Sequence, residues 1–348
     1  MPSSRDVVDT VGGKLTDGAG RKALAGAAVP AAAGVAVAAY RRRARRRGRR
    51  GTTYRLRRRE AVPLGLRRVT RQEIEEAVAR LRGGTDEPLA DAIHGARKGF
   101  KRLRALVRLA RGELGDDAYR RENATFRDAG RALSGARDAE VLVETLDRLE
   151  EGSGARFWAL RESLERDRDD AVRAIESDAS GRAEVEADLA AARARVDAWP
   201  LSRDGFAALA PGLRRIYRQG RRAFAAARDE PTDEHLHELR KRVKDFWHAS
   251  QLLRPADPKR MDALAKRLHT LSDRLGEDHD FAVLAATAAS RPECFGDDAA
   301  RADFATLVAE RRQGLQEDAL ARAAKLYRRK PGRFVKRIGR RWKKRVAA

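Results

Sequence analysis

His94, Arg97, Lys98 and Lys101 hold the first, fourth, fifth and eighth positions of HGARKGFK, and His237, Arg240, Lys241 and Lys244 hold the same positions of HELRKRVK. Spacings of three and four put each quartet on one face of a helix. Guanidinium groups grip phosphate or carboxylate oxygens bidentately, and ammonium groups act as compact point charges. The chemistry open to such a set is the binding of anions. HGARKGFKRLR, residues 94–104, contains no acid, so its like charges repel one another unless something outside the segment neutralises them.

Turned at about 100° per residue, residues 94–114 bring Arg108 onto the stripe of His94, Arg97, Lys98 and Lys101. Phe100, Leu103, Leu106, Val107, Ala110 and Leu114 fall opposite. In the second copy His248 joins His237, Arg240, Lys241 and Lys244, opposite Leu239, Val243, Phe246, Ala249 and Leu253. A third segment, GLRRIYRQGRRAFAAAR at 212–228, lines up Arg214, Arg215, Arg218, Arg221 and Arg222 against Leu213, Ile216, Tyr217, Gly220 and Phe224. Each helix should pack one face and present the other. A single charged face is usually just solvated and salt-bridged. Three acid-free faces, two in one layout, favour a site.

No Walker loop, nucleophile–base pair or cluster of metal-binding carboxylates accompanies the stripes, so no enzyme is expected. EDHD (277–280) offers a histidine among acids, but its counterpart GARD (135–138) offers none and the sole cysteine is Cys294, so neither zinc nor another cofactor is expected. One cysteine fits a reducing compartment. Asp138 and Asp280 should pair with stripe arginines and fix their planes. The stripes lack the aromatic platforms that single-stranded nucleic acid needs. His94 and His237, flanked by cations, should be neutral at pH 7, whereas the lysines and arginines should stay charged.

The net charge of +24 over 348 residues is unevenly spread. Residues 41–60 carry twelve Arg against one Glu, and 319–348 carry thirteen Lys or Arg and no acid. Residues 61–318 hold 47 bases and 48 acids, so an anion site there must come from segregated charge. The segment 23–40 has 18 small or apolar residues before an arginine run. Rich in Ala and Gly and holding Pro30, it reads as a soluble tail in preference to a spanning helix. Either way the rest of the chain would be cytoplasmic. Basic tails of this kind could contact nucleic acid or anionic lipid.

From residue 69 the pattern is helical, with breaks at 82–88, 111–117, 150–156, 177–182, 198–205, 228–234, 254–260, 290–298 and 329–333. Thr85/Asp86 and Thr232/Asp233 are helix starts. Segments 156–176 and 182–198 read as an antiparallel pair. The chain also repeats: LSGARDAEVL (133–142) matches LGEDHDFAVL (275–284), and the two pairs of motifs are offset by 143 and 142 residues. The fold class expected is all-α, with two related bundles in pseudo-twofold relation: a tail at 1–53, a first bundle at 54–200, and a second at 201–348, divided at Pro200.

These motifs, together with LRRIYRQGRRAF, the closing YRRKPGRFVKRIGRRWKK and the preface YRLRRREAVPLGLRRVTRQEIEEAVARL, resemble the CHAD family over roughly 54–345. The resemblance implies two four-helix bundles around a basic cavity that binds inorganic polyphosphate without catalysis, for recruitment to polyphosphate granules or sensing of the polymer. The cavity residues it implies are His94, Arg97, Lys98, Lys101, Arg104, His237, Arg240, Lys241 and Lys244, with Arg214, Arg218 and Arg221. Two departures stand out. Ser134 replaces Gly276 before the aligned aspartate, so that turn should differ. Asp245 and Trp247 replace Arg102 and Arg104, so the second half is less basic.

Overall fold

Apolar residues three and four apart become ten helices in the computed structural model, which describes residues 54–84 and 87–346; among them there is no strand. The tail of 1–53, its apolar segment 23–40 and the Thr85/Asp86 cap lie outside the described residues. The helices are α1 (Val62–Leu81), α2 (Leu89–Ala132), α3 (Ala136–Glu150), α4 (Trp158–Ser177), α5 (Ala179–Arg195), α6 (Gly205–Asp229), α7 (Asp233–Leu252), α8 (Pro258–Ala289), α9 (Asp298–Tyr327) and α10 (Pro331–Val346). No helix among the described residues is long and apolar enough to cross a membrane.

Side-chain caps open several of the helices. Thr232 accepts from the His235 N–H to open α7, and Asp257 and Asp297 do the same for α8 and α9. The break expected at 111–117 is a kink instead. Gly115, at φ 75°, takes the left-handed conformation that favours glycine, and α2 continues as a second arm.

One core runs from Tyr54 to Trp342 and joins α1, α2, α5, α6, α7, α8, α9 and α10, so residues on both sides of Pro200 share it. A smaller core gathers Leu146 and Leu149 of α3, Leu160 and Leu164 of α4, Phe281 and Leu284 of α8, and Phe304 of α9. Here the expected antiparallel pair fails. α4 packs on α3, whereas α5 packs on α1 and α2. The link between α4 and α5 is Asp178 alone, too short for the two to five residues that an antiparallel helical hairpin needs.

α10 is held by an aromatic cluster. Phe334 stacks on Tyr217 of α6 at 4.3 Å, Phe246 of α7 meets Tyr217 edge-on, and the Tyr217 hydroxyl donates to the Leu326 carbonyl at 3.1 Å. α2 and α6 cross at Gly212, where a Cβ would run into the Leu109 carbonyl. Gly212→Ala should therefore cost about 2–3 kcal/mol of unfolding free energy. Gly314→Ala, in open surroundings on α9, should be neutral or stabilise by up to about 1 kcal/mol. Urea unfolding of both variants checks the contrast, and equal effects would contradict the close crossing.

Candidate anion-binding site

The apolar stripes are buried as their spacing requires. Phe100, Leu103, Leu106, Val107 and Ala110 of α2 and Leu239, Val243, Phe246 and Ala249 of α7 are at most 1% exposed. That burial turns the flank carrying the cations away from the core. α2 and α7 pack against each other and their cationic flanks meet. Lys244 feels the charge of Lys101, and Arg240 acts on both.

The stripe cations divide by their partners. Arg97 pairs with Asp138 at 3.3 Å, Arg108 with the buried Asp245 at 2.9 Å, and Lys241 with Glu238 at 2.6 Å. Arg104 reaches Asn123, on the second arm of α2, at 3.4 Å. Among the described residues, Lys98, Lys101, Arg240 and Lys244 have no ion-pair partner. Arg240 Nε and His237 Nδ1 are buried without a hydrogen-bond partner, a state that costs free energy.

Electrostatics follow from this crowding. Burial first, then Arg97 and Arg240, lowers the Lys101 ammonium to about 8, although the side chain is exposed. Exposure together with strong desolvation means that the side chain reaches water while protein surrounds much of it. Burial, Arg240 and Lys101 bring half-buried Lys244 to about 7. The expectation that the lysines stay fully charged is therefore corrected. His94 falls to about 3 through burial and then Lys98 and Arg137, and His237 is lowered chiefly by burial and then Lys241. Both are neutral at pH 7, with burial ahead of the neighbouring cations as the cause.

Other residues sit differently from their helical-wheel placement. His248 is 7% exposed, lies edge-on to Tyr54 and approaches Gln251 through Nδ1 at 3.3 Å, so it packs beneath the site. Arg221 donates to the Arg329 carbonyl at 3.5 Å and Arg214 lies against Gly332. Those two, with exposed Arg218 between them on the same face of α6, are turned towards the corner between α9 and α10.

The two aspartates differ as the Ser134 departure suggests. In the first copy the chain turns at Gly135, φ 125°, and Asp138 begins α3 in the open; in the second, α8 runs straight through and Asp280 is mid-helix and half-buried. Asp138 meets the stripe arginine Arg97, whereas Asp280 meets Arg148 of α3 at 3.6 Å. Burial raises the Asp280 carboxyl against the pull of Arg240.

Two residues escaped the motif reading. The His279 ring lies 4.5 Å from that of His237, and its pKa falls to about 4 through burial and Arg240. Arg137 acts on His94 and Lys98. Both directly precede the aligned aspartate, and this shared basic position was the available signal. Among the described residues no group of three or more His, Cys, Asp or Glu is placed to hold a metal ion.

The arrangement offers an anion several cations that have no ion-pair partner among the described residues. The family model of the CHAD domain matches residues 68–289. No curated protein matches the chain.

Proposed function

Because the chain belongs to the CHAD domain family, we propose that the crossing of α2 and α7 binds inorganic polyphosphate and catalyses no reaction on it. One observation carries this reading: Lys101, Arg240 and Lys244 converge with none of them in an ion pair among the described residues, in surroundings whose burial depresses their ionisation although Asp138 and Asp280 act on them. A linear polyanion would neutralise these cations and offer acceptors to their N–H groups. In this reading the repeats form two four-helix bundles in pseudo-twofold relation, facing each other across the concavity. His94, Arg97, Lys98, Lys101 and Arg104 line one wall, and His237, Arg240, Lys241 and Lys244 the other. His279 and Arg137 join them. Binding recruits the protein to polyphosphate granules or senses the polymer.

Calorimetric titration with long-chain polyphosphate, ATP and duplex DNA at matched charge and salt tests the reading. The polymer should bind more than about a hundredfold tighter than ATP, whose few charges reach fewer of the cations. No orthophosphate should be released. ATP or duplex affinity equal to that of the polymer would overturn the assignment.

A further inference from the structure

Four clefts lie away from the α2–α7 crossing, on the face built by α8, α9 and α10. A cleft of about 500 Å³ is floored by Met261, Leu264, Leu326, Phe334 and Ile338 and rimmed by Arg260, Arg267, Lys325, Arg328, Arg337 and Arg341. It does not stand alone. A neighbouring cleft shares Arg267 and Lys325 and adds Lys266 and Arg322. On the other side a third shares Arg341 and adds Lys344 and Arg345, and a fourth continues from Arg345 to Arg55 and Arg254. None of the α2 or α7 stripe residues lines these clefts.

Asp257 pairs with Arg341 at 2.6 Å and with Arg260 at 3.3 Å, and Asp318 pairs with Arg322 at 2.7 Å. Among the described residues, Arg267, Lys325, Arg328 and Arg337 have no ion-pair partner. Crowding by Arg341, and then by Arg329, Arg260 and Arg328, disfavours even the charge on Arg337.

We propose that this face is a second polyanion site, a track for single-stranded nucleic acid. Linked clefts in a row suit a linear ligand rather than a compact one. Arginine predominates on the rim, and guanidinium both grips phosphodiester oxygens and lies flat on bases. The apolar floor is the deciding feature. Bases have apolar faces to bury there, whereas a bare phosphate chain has nothing to place against Met261, Leu264 and Phe334. A membrane would need protruding apolar side chains, and the exposed large ones among the described residues, Leu64, Trp158 and Val283, lie outside the clefts.

The test uses the full chain and a fluorescein-labelled oligothymidylate of about twenty nucleotides, followed by anisotropy. Arg267→Glu with Lys325→Glu should weaken binding by about tenfold or more, and the milder Arg267→Gln with Lys325→Gln by a smaller factor, both with unchanged helical circular dichroism. Lys101→Glu with Lys244→Glu should leave oligonucleotide affinity unchanged, which separates this track from the proposed polyphosphate site. Unchanged affinity in both track variants would overturn the proposal, because binding would then reside elsewhere, such as the arginine run at 41–50. Loss in the Lys101/Lys244 variant would place the oligonucleotide at the crossing and overturn it too. So would displacement by poly-glutamate or polyphosphate as effective, charge for charge, as by unlabelled oligothymidylate in that variant, because the apolar floor would then contribute nothing.

Discussion

Charge reversal of Lys101 and Lys244 together is expected to lower polyphosphate affinity by more than about a hundredfold, since each charge-assisted contact contributes roughly 1.5–3 kcal/mol. Helical circular dichroism should be unchanged. Neither side chain belongs to the buried apolar stripes of α2 and α7, and neither has an ion-pair partner among the described residues. The new glutamates would sit beside Arg97 and Arg240, so the loss comes from removed and reversed ligand contacts rather than from a broken core. Calorimetry with long-chain polymer reads the effect. Full affinity in a folded double variant would move the site away from the crossing.

The second large effect is on pH. In the empty protein Lys244 titrates at about 7 and Lys101 at about 8, against an ordinary 10.5. Lys101 is faced by Arg97, Lys98 and Asp138, and Lys244 by Asp280 and Asp273, with Arg240 beside both. A bound polyanion favours the ammonium form and raises both values. Below about pH 7 the lysines are largely protonated before binding, so they add little slope. Between the empty and bound values, binding takes up protons and affinity falls as pH rises. Affinity should therefore drop by about tenfold or more between roughly pH 7 and pH 9. Lys101→Arg with Lys244→Arg should keep the affinity and lose this slope, because guanidinium stays charged. A flat wild-type profile, or the same slope in the arginine variant, would contradict the depressed lysines. The histidines contribute only on the acid side, since His94 and His279 titrate at about 3 and 4 when empty. Their bound values lie higher, and affinity rises further as pH falls through those.

The stripes were legible because helical periodicity is local. Residues three and four apart share a face whatever the helix packs against, so Phe100 and Leu239 could be placed inward, and Lys101 and Lys244 outward, from spacing alone. The difference before Asp138 was legible as well, because only one copy must turn there, at Gly135.

What a face packs against was not legible. Leu160 and Leu164 mark an inward stripe on α4, but nothing in that stripe names α3 and α8 as its partners rather than α5. His248 satisfies the wheel for the cationic flank, yet Tyr54, from nearly two hundred residues earlier, closes over it. The depressed lysines depend on two segments far apart in sequence crowding one space, and no single helix carries that information. His279 was visible as a residue, but its neighbour His237 lies across a helix–helix contact.

Lysine labelling by an amine-reactive ester at about pH 7.5 tests the central claim most directly, because only the unprotonated amine reacts and depressed lysines react first. Peptide mapping of the empty protein should show Lys101 and Lys244 modified ahead of exposed Lys259 and Lys336. Long-chain polyphosphate should suppress labelling at Lys101 and Lys244 before any other position. Unchanged reactivity at these two, with protection at Lys325, Lys336 and Lys343 instead, would contradict a polyphosphate site at the crossing of α2 and α7.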